Sequence, residues 1–309
     1  MDILMLIAAF GGGVFGACIG GVTAFIFTGI TVVAAILGGA AGAPMIPFVS
    51  FGSWFGPHIS FCGAAAAGAY LMRRGKMESG ADIITPLCKY NDGAALLVGG
   101  VFGVAGYLIE FVISDLFGVN VLNLAGWTDT VAITVFLNGL LTRLTLGTSG
   151  FLGKWEGEKH VFLPDKNRFT FLLMLGAGSS LLVGCITVAL GQMGLDGSQE
   201  AMYLFNNMGS FAFGIAAICF LWLPMKLPME NLHQIILPAA TTVLTVFAVT
   251  QNAVLSIIGG VIIGMIGAVL CDIAARTFNT NADSHIDPPA FTIAVLQIFN
   301  FSILPMLLA

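Results

Sequence analysis

Long apolar runs without a charged residue recur from one end of the chain to the other. The first extends from about residue 3 to residue 39, and the last covers about 289–308. An uncharged apolar run of about 18 residues or more is typical of a membrane-spanning helix. Charged residues are only 9% of the chain, against about 25% in a soluble domain, and so few could not solvate a soluble surface of this length. The sequence predicts an all-α polytopic membrane protein.

We expect about ten transmembrane or re-entrant helices. The stretch 81–97 is not a clean span, because the polar residues 89–92 interrupt it. Residues 151–168 form the only substantial charged linker. The apolar segments in chain order lie at about 3–39, 44–72, 93–117, 131–147, 169–194, 203–225, 233–250, 253–275 and 289–308.

Short matches between the two parts of the chain indicate an internal duplication. Asp129 and Asp287 each stand at the start of an apolar run, and each is followed by Ala at the third position and by Thr nearby. Six such matches keep nearly the same offset, between 152 and 161 residues. We therefore predict two homologous repeats, residues 1–150 and 169–309. An odd number of spans in each would make them inverted, which we favour over parallel repeats.

Basic residues bear on the orientation, since cytoplasmic loops collect Lys and Arg. With five spans in each half, the linker at 151–168 would lie on the cytoplasmic side and the N-terminus outside, with the Arg73–Lys76 loop opposite the linker. If 81–97 is instead re-entrant, that loop joins the linker on the same side.

Polar breaks in corresponding places of two halves are a sequence pointer to the binding site of a secondary transporter. Lys89, Asn91 and Asp92 lie seven or more residues before Gly99-Gly100, and Gln251 and Asn252 lie at the matching place before Gly259-Gly260. Proline precedes each break and removes a backbone donor. We predict these five residues as substrate or ion ligands. The alternative is that 89–92 is an ordinary aqueous loop.

Two carboxylates form the second candidate site. Asp129 and Asp287 would act as proton or cation acceptors near the membrane centre; the alternative is that they only cap the helices that follow. His58, inside an apolar run, and His285, beside Asp287, are further candidates, because histidine titrates in the physiological range. A metal site is not expected, since no second histidine lies near His285.

These features together predict a multi-pass permease for a small solute, coupled to H⁺ or Na⁺, in the plasma membrane or the inner membrane of a prokaryote. The alternatives are a passive channel and an integral subunit of a larger transport complex. Enzyme motifs are absent from the sequence, so an enzyme and a cofactor are not expected. A net charge of −5 argues against nucleic acid as a partner, and a homo-oligomer is compatible with the sequence.

Overall fold

The computed structural model describes residues 2–124, 126–153 and 160–309, and in these residues every regular element is a helix. We label the helices of eight or more residues in chain order, leaving short π and 3₁₀ turns unlabelled. They are α1 (Ile3–Ile19), α2 (Gly21–Leu37), α3 (Ser60–Arg73), α4 (Gly93–Phe111), α5 (Thr130–Leu146), α6 (Lys166–Leu195), α7 (Gln199–Asn206), α8 (Met208–Cys219), α9 (His233–Thr250), α10 (Ala253–Asn279) and α11 (Pro288–Ile298).

Five helical segments of the described chain are long and apolar enough to cross a membrane, and the number rises to seven if each of two bent pairs is one span. The protein is therefore an integral membrane protein by the length and composition of its helices. The five segments are Gly93–Val119, Lys166–Leu195, His233–Thr250, Ala253–Asn279 and Pro288–Leu308. The bent pairs are α1 with α2 and α7 with the run Met208–Trp222.

The first apolar run, which is long enough for a tilted helix with a broken or interfacial start, forms two helices. The axes of α1 and α2 differ by 116°, and the turn lies at Gly20, whose φ of 90° favours glycine. The amide of Val22 donates to the carbonyl of Ile83 at 2.9 Å. A contact with a distant loop thus fixes the bend, which no local pattern in this uncharged run could reveal.

The second apolar run also departs from a simple span. Its first part holds a short π turn and irregular backbone through residue 59, and only Ser60–Arg73 is a regular α-helix. Irregular backbone is tolerated at membrane depth where protein groups satisfy it. Here the Thr28 hydroxyl donates to the carbonyl of Phe55 at 2.6 Å, and the Ser53 hydroxyl donates to the carbonyl of Met5 at 3.0 Å.

The helices form two groups of three, α1 with α3 and α4, and α6 with α9 and α10. Small residues allow the close packing that membrane helices use. Gly13, Gly63 and Gly99 meet backbone to backbone in the first group, and Gly176 faces Gly264 in the second. A side chain at any of these positions would overlap the neighbouring helix.

Two antiparallel helix pairs join the groups. Helix α2 packs on α8, with Ile26 against Phe220 at one end and Val32 against Gly214 further along. Helix α5 packs on α11, where the Thr128 hydroxyl just before α5 donates to the carbonyl of Ala294 at 2.8 Å. In both pairs, residue numbers rise along one helix as they fall along its partner.

Helix α5 begins inside the bundle, at a level between the two ends of the preceding span. The hydroxyl of Thr130 donates to Glu110 at 3.0 Å, and Glu110 lies nine residues before Val119, where that span ends. The start of α5 therefore lies about two helical turns inside that end of the span. Helix α11 is similarly placed, since Ile286, just before it, packs on Ala274 of α10.

The described basic residues gather at one end of the bundle, which we call the basic end. Arg73 donates to the carbonyl of Thr145, and Arg168 pairs with Glu230 and Asp272. The members of this group are Arg73, Arg74, Lys76, Lys89, Arg143, Lys166, Arg168, Lys226 and Arg276. The Arg73–Lys76 loop therefore lies at the end of the bundle where α6 begins, as expected if residues 81–97 do not cross the membrane. Lys154 and Lys159 lie outside the described residues.

Candidate functional site

A cavity of about 310 Å³ lies where the two antiparallel helix pairs meet. Residues of α2, α3 and α5 line one part of it, and residues of α8, α9 and α11 line the other. Ile83, from the long connection between α3 and α4, also reaches it. A cavity between helices of a bundle is the usual place for a small ligand.

Helices α5 and α11 contribute to the wall in the same register. Each supplies lining residues at positions 0, 2, 3 and 6 from its aspartate, and each corresponding pair is 158 residues apart; Pro288 of α11 lines the cavity as well. The pairs are Asp129 and Asp287, Val131 and Pro289, Ala132 and Ala290, and Val135 and Ile293. The similarity noticed in the sequence therefore coincides with one surface of the cavity.

The two aspartates cap their helices and face the cavity. Asp129 accepts a hydrogen bond from the amide of Ala132 at 2.8 Å, and Asp287 accepts one from the amide of Ala290 at 2.8 Å. Helix N-termini carry a partial positive charge that favours a carboxylate. The cap uses one oxygen of each carboxylate, and the second oxygen of Asp287 contacts His285. Capping and a role in binding are therefore compatible.

Two histidines belong to the same wall. The Nε2 atom of His285 lies 3.2 Å from a carboxylate oxygen of Asp287. His233, the first residue of α9, is 5% exposed, and its Nδ1 atom makes no hydrogen bond to any described residue. A buried, unsatisfied ring nitrogen is costly, so a ligand that forms a hydrogen bond to it would relieve that cost.

Phenylalanine dominates the rest of the wall. The ring of His233 packs on Phe25, Phe213 and Phe220, with centroid distances of 4.9, 5.9 and 5.5 Å. Phe51 and Phe61 complete the aromatic surface. No lysine or arginine is present among the described lining residues. The cavity thus combines an aromatic, apolar interior with two carboxylates and two imidazoles.

The predicted residues at 89–92 lie elsewhere. Asn91 takes a left-handed backbone conformation, with φ of 47°, in the turn before α4. Asp92 caps α4 and pairs with Lys76 at 2.6 Å, and this hydrogen bond holds the pKa of the Asp92 carboxyl below its usual range. The ammonium of Lys89 lies over the ring of Tyr90, 4.9 Å from its centroid. None of these residues lines the cavity.

The matching residues Gln251 and Asn252 form a turn of the same type. Gln251 has φ of 52°, and Asn252 caps α10 through the amide of Leu255 at 3.0 Å. Both turns connect helices and are away from the cavity lining. The geometry gives these residues a capping role, and their assignment as ligands stays a prediction.

His58 is buried beside the cavity without lining it, although its neighbour Pro57 does line it. Asn138 donates to the carbonyls of His58 and Phe102, at 3.5 and 2.9 Å, so this backbone is part of the packing of α3, α4 and α5. Of the nine predicted site residues, the cavity contains Asp129, Asp287 and His285.

Sequence reasoning missed His233 and the phenylalanine wall. A signal for His233 was available, because an ionisable residue at the edge of an apolar run is a functional candidate by default. The phenylalanines carried no such signal, because 25 of them are scattered through the chain and most could equally face lipid.

Comparison with known proteins identifies a family without a known activity. No curated protein and no solved structure matches the chain. A family model matches residues 1–165 and 181–307, which together cover most of the sequence. The chain belongs to this family, described as a family of unknown function, DUF7973.

Proposed function

We propose that this protein is a secondary transporter, a multi-pass permease that moves a small solute in exchange with, or together with, protons. The cavity bounded by Asp129 and Asp287 carries the proposal, because it lies between two helices that both start inside the bundle. Transporter sites occupy this kind of place, near the midplane and beside broken helices. Alternating access around the cavity would expose the two carboxylates to each side in turn.

An inverted duplication, residues 1–150 and 169–309 with about five helical elements each, is part of the proposal. One observation supports it. The pairs α2 with α8 and α5 with α11 are antiparallel, as expected for equivalent helices related by an axis in the membrane plane.

Protons are better candidates than Na⁺ for the coupling ion. A sodium site needs several oxygen ligands around one point, whereas this wall offers two imidazoles beside its carboxylates. Imidazole and carboxylate groups both bind and release protons within reach of physiological pH when their surroundings change. His285 and Asp287, in direct contact, would share a proton.

Contacts at the basic end support a closed passage there. Arg143 of α5 is 1% exposed and donates to Ser284 and to the carbonyl of Phe278. Asp283 accepts hydrogen bonds from Thr148 and Ser149. Burial raises the pKa of Asp283, but these hydrogen bonds outweigh it and hold the pKa below its usual range. Opening this end would require these groups to separate.

The test is proton movement in liposomes. The purified chain would be reconstituted with a pH-sensitive dye inside, and a panel of small amines, carboxylates and neutral solutes would be added outside. We expect at least one class to drive proton movement, and Asp129→Asn and Asp287→Asn to reduce it about tenfold or more. Asparagine still caps a helix, so these changes remove the charge while retaining the cap.

Asp165→Asn is the matched control, because Asp165 caps α6 at the bundle surface and lies outside the cavity. It should leave proton movement unchanged. Solute flux that follows its own gradient and ignores an imposed pH gradient would instead identify a passive channel. Absence of any flux, with a stoichiometric partner in the purified sample, would point to a subunit of a larger complex.

A further inference from the structure

We infer that the cavity binds a small organic cation with an apolar body, a protonated amine or a quaternary ammonium compound, which displaces a proton from Asp129. This inference rests on the proposed function, because it names the substrate class of that transporter. It depends on three properties of the wall, namely its charge, its aromatic surface and the position of His233.

The charge of the cavity wall argues against an anionic substrate. Two carboxylates face the cavity, and no lysine or arginine is among the described lining residues. Both aspartates accept a cap hydrogen bond from a backbone amide. Asp287 has in addition a histidine partner at 3.2 Å. An anion would meet two negative groups without a fixed positive one, while a cation would find both attractive.

The aromatic surface of the cavity argues against a small inorganic cation as the substrate. A cation over the face of an aromatic ring is attracted by its quadrupole, and the interaction strengthens where water is excluded. Phe25 is central to this surface, with Phe213 and Phe220 at centroid distances of 5.3 and 5.4 Å and Phe61 at 6.4 Å. Aliphatic residues, among them Val22 and Leu237, fill the remaining wall. Alkyl groups on nitrogen suit such a wall, whereas a metal ion requires a shell of oxygens.

His233 offers the site a hydrogen-bond acceptor. Its ring occupies the space between Phe25, Phe213 and Phe220, and its Nδ1 atom makes no hydrogen bond to any described residue, so this atom can accept a hydrogen bond from a bound ammonium or hydroxyl group. The exchange forms no covalent bond. The cation enters as the carboxylic acid proton of Asp129 leaves to water, and the reverse step reloads that proton and releases the cation.

Calorimetric titration of the detergent-purified protein tests the substrate class without any transport step. The probes are choline, its uncharged carbon analogue 3,3-dimethylbutan-1-ol, and butyrate. We expect choline to bind at least tenfold more tightly than the uncharged analogue, and butyrate to show no saturable binding. In weakly buffered solution, choline binding should release protons. Equal binding of choline and its uncharged analogue, or preferred binding of butyrate, would overturn the inference.

Single substitutions test whether choline binds in the cavity. Asp129→Asn and Asp287→Asn should each weaken choline binding about tenfold, and Phe25→Leu should weaken it several-fold while retaining apolar volume. The control is Phe15→Leu, because Phe15 packs on Trp54 outside the cavity. If a variant fails to fold, the comparison of the three probes on the unmodified protein still tests whether the site prefers a cation. Binding equal in Phe15→Leu and Phe25→Leu would place the cation elsewhere.

The two proposals fail in different ways. Tight, carboxylate-dependent binding of choline without solute-driven proton movement in liposomes would retain the cation site and reject the transporter. Proton movement driven by carboxylates or neutral solutes, with no choline binding, would retain the transporter and reject the cation.

Discussion

Gly106 allows α4 to lie directly against the backbone beside the cavity. A side chain there would overlap the carbonyl oxygen of His58 and come within 3.1 Å of the Asn138 amide nitrogen. We expect Gly106→Ala to lower the free energy of unfolding by about 1–3 kcal/mol, because the nearest atom belongs to the backbone and hydrogen bonds to two carbonyls hold the Asn138 side chain in place. Thermal unfolding in detergent would measure it.

Gly11→Ala is the matched control for this change. Gly11 is also inside a helix, α1, but nothing lies within 4 Å of a side chain placed there. Alanine has the higher helix propensity, so Gly11→Ala should leave the unfolding temperature unchanged or raise it. A loss of stability equal to that of Gly106→Ala would contradict the packing explanation.

Asp92 gives the N-terminal end of α4 a pH-dependent component of stability. The hydrogen bond from Lys76, followed by those from the α4 amides, lowers the pKa of Asp92 from its ordinary 3.8. A carboxyl with a lowered pKa stabilises the fold above its unfolded pKa and loses that effect as pH falls through the folded value. The stability difference from Asp92→Asn should therefore be largest above about pH 4 and should shrink below 3.8.

Unfolding temperatures at a series of pH values would measure this difference. Lys76→Met removes the largest cause of the pKa shift and should reduce the pH dependence. If the difference between the unmodified protein and Asp92→Asn stays constant from about pH 6 to about pH 3, the charge at this cap is unimportant.

Whole helices differ in how well hydropathy predicted them. The apolar segment at 233–250 coincides with α9, and the segments at 253–275 and 289–308 lie within helical spans. By contrast, the runs at 3–39 and 44–72 are each broken. In those runs, breaks depend on Gly20 and on contacts with Ile83 and Phe55, and such contacts have no signature in the hydropathy of the run itself.

The correspondence predicted between Pro86 and Pro238 also depends on tertiary context. Pro86 precedes a 3₁₀ turn in the connection between α3 and α4, whereas Pro238 lies inside α9. In α9, Asn300 and Thr242 donate to the carbonyl of Pro238. Similar sequence spacing therefore occurs in unlike structures.

Charge defines the orientation of the whole molecule. The described basic residues are at the basic end, and Asp2, Asp115, Asp196 and Glu200 lie toward the opposite end. Because cytoplasmic loops collect Lys and Arg, we expect the basic end to face the cytoplasm. Single cysteines at Glu78, Lys166 and Gln199, in a variant without the six native cysteines, would report the side of each position.

In intact cells, a membrane-impermeant thiol reagent should label Gln199→Cys and leave Glu78→Cys and Lys166→Cys unlabelled until the membrane is permeabilised. Opposite behaviour of the Glu78 and Lys166 positions would mean that the 74–92 connection crosses the membrane, and the helix arrangement would then be wrong. Labelling of Glu78→Cys and Lys166→Cys without labelling of Gln199→Cys would mean that the basic end faces the outside of the cell.

Composition and local pattern by themselves determined the membrane class and the pairing of Asp129 with Asp287, because hydrophobicity and capping are properties of neighbouring residues. Only the tertiary structure decided which polar residues share a cavity. It brought Asp129, His233, His285 and Asp287 to one wall and left Lys89 and Asn91 in a connecting turn. A polar break in an apolar run is the same in sequence whether it ends a hairpin at the surface or faces a cavity. The packing of distant helices makes the difference.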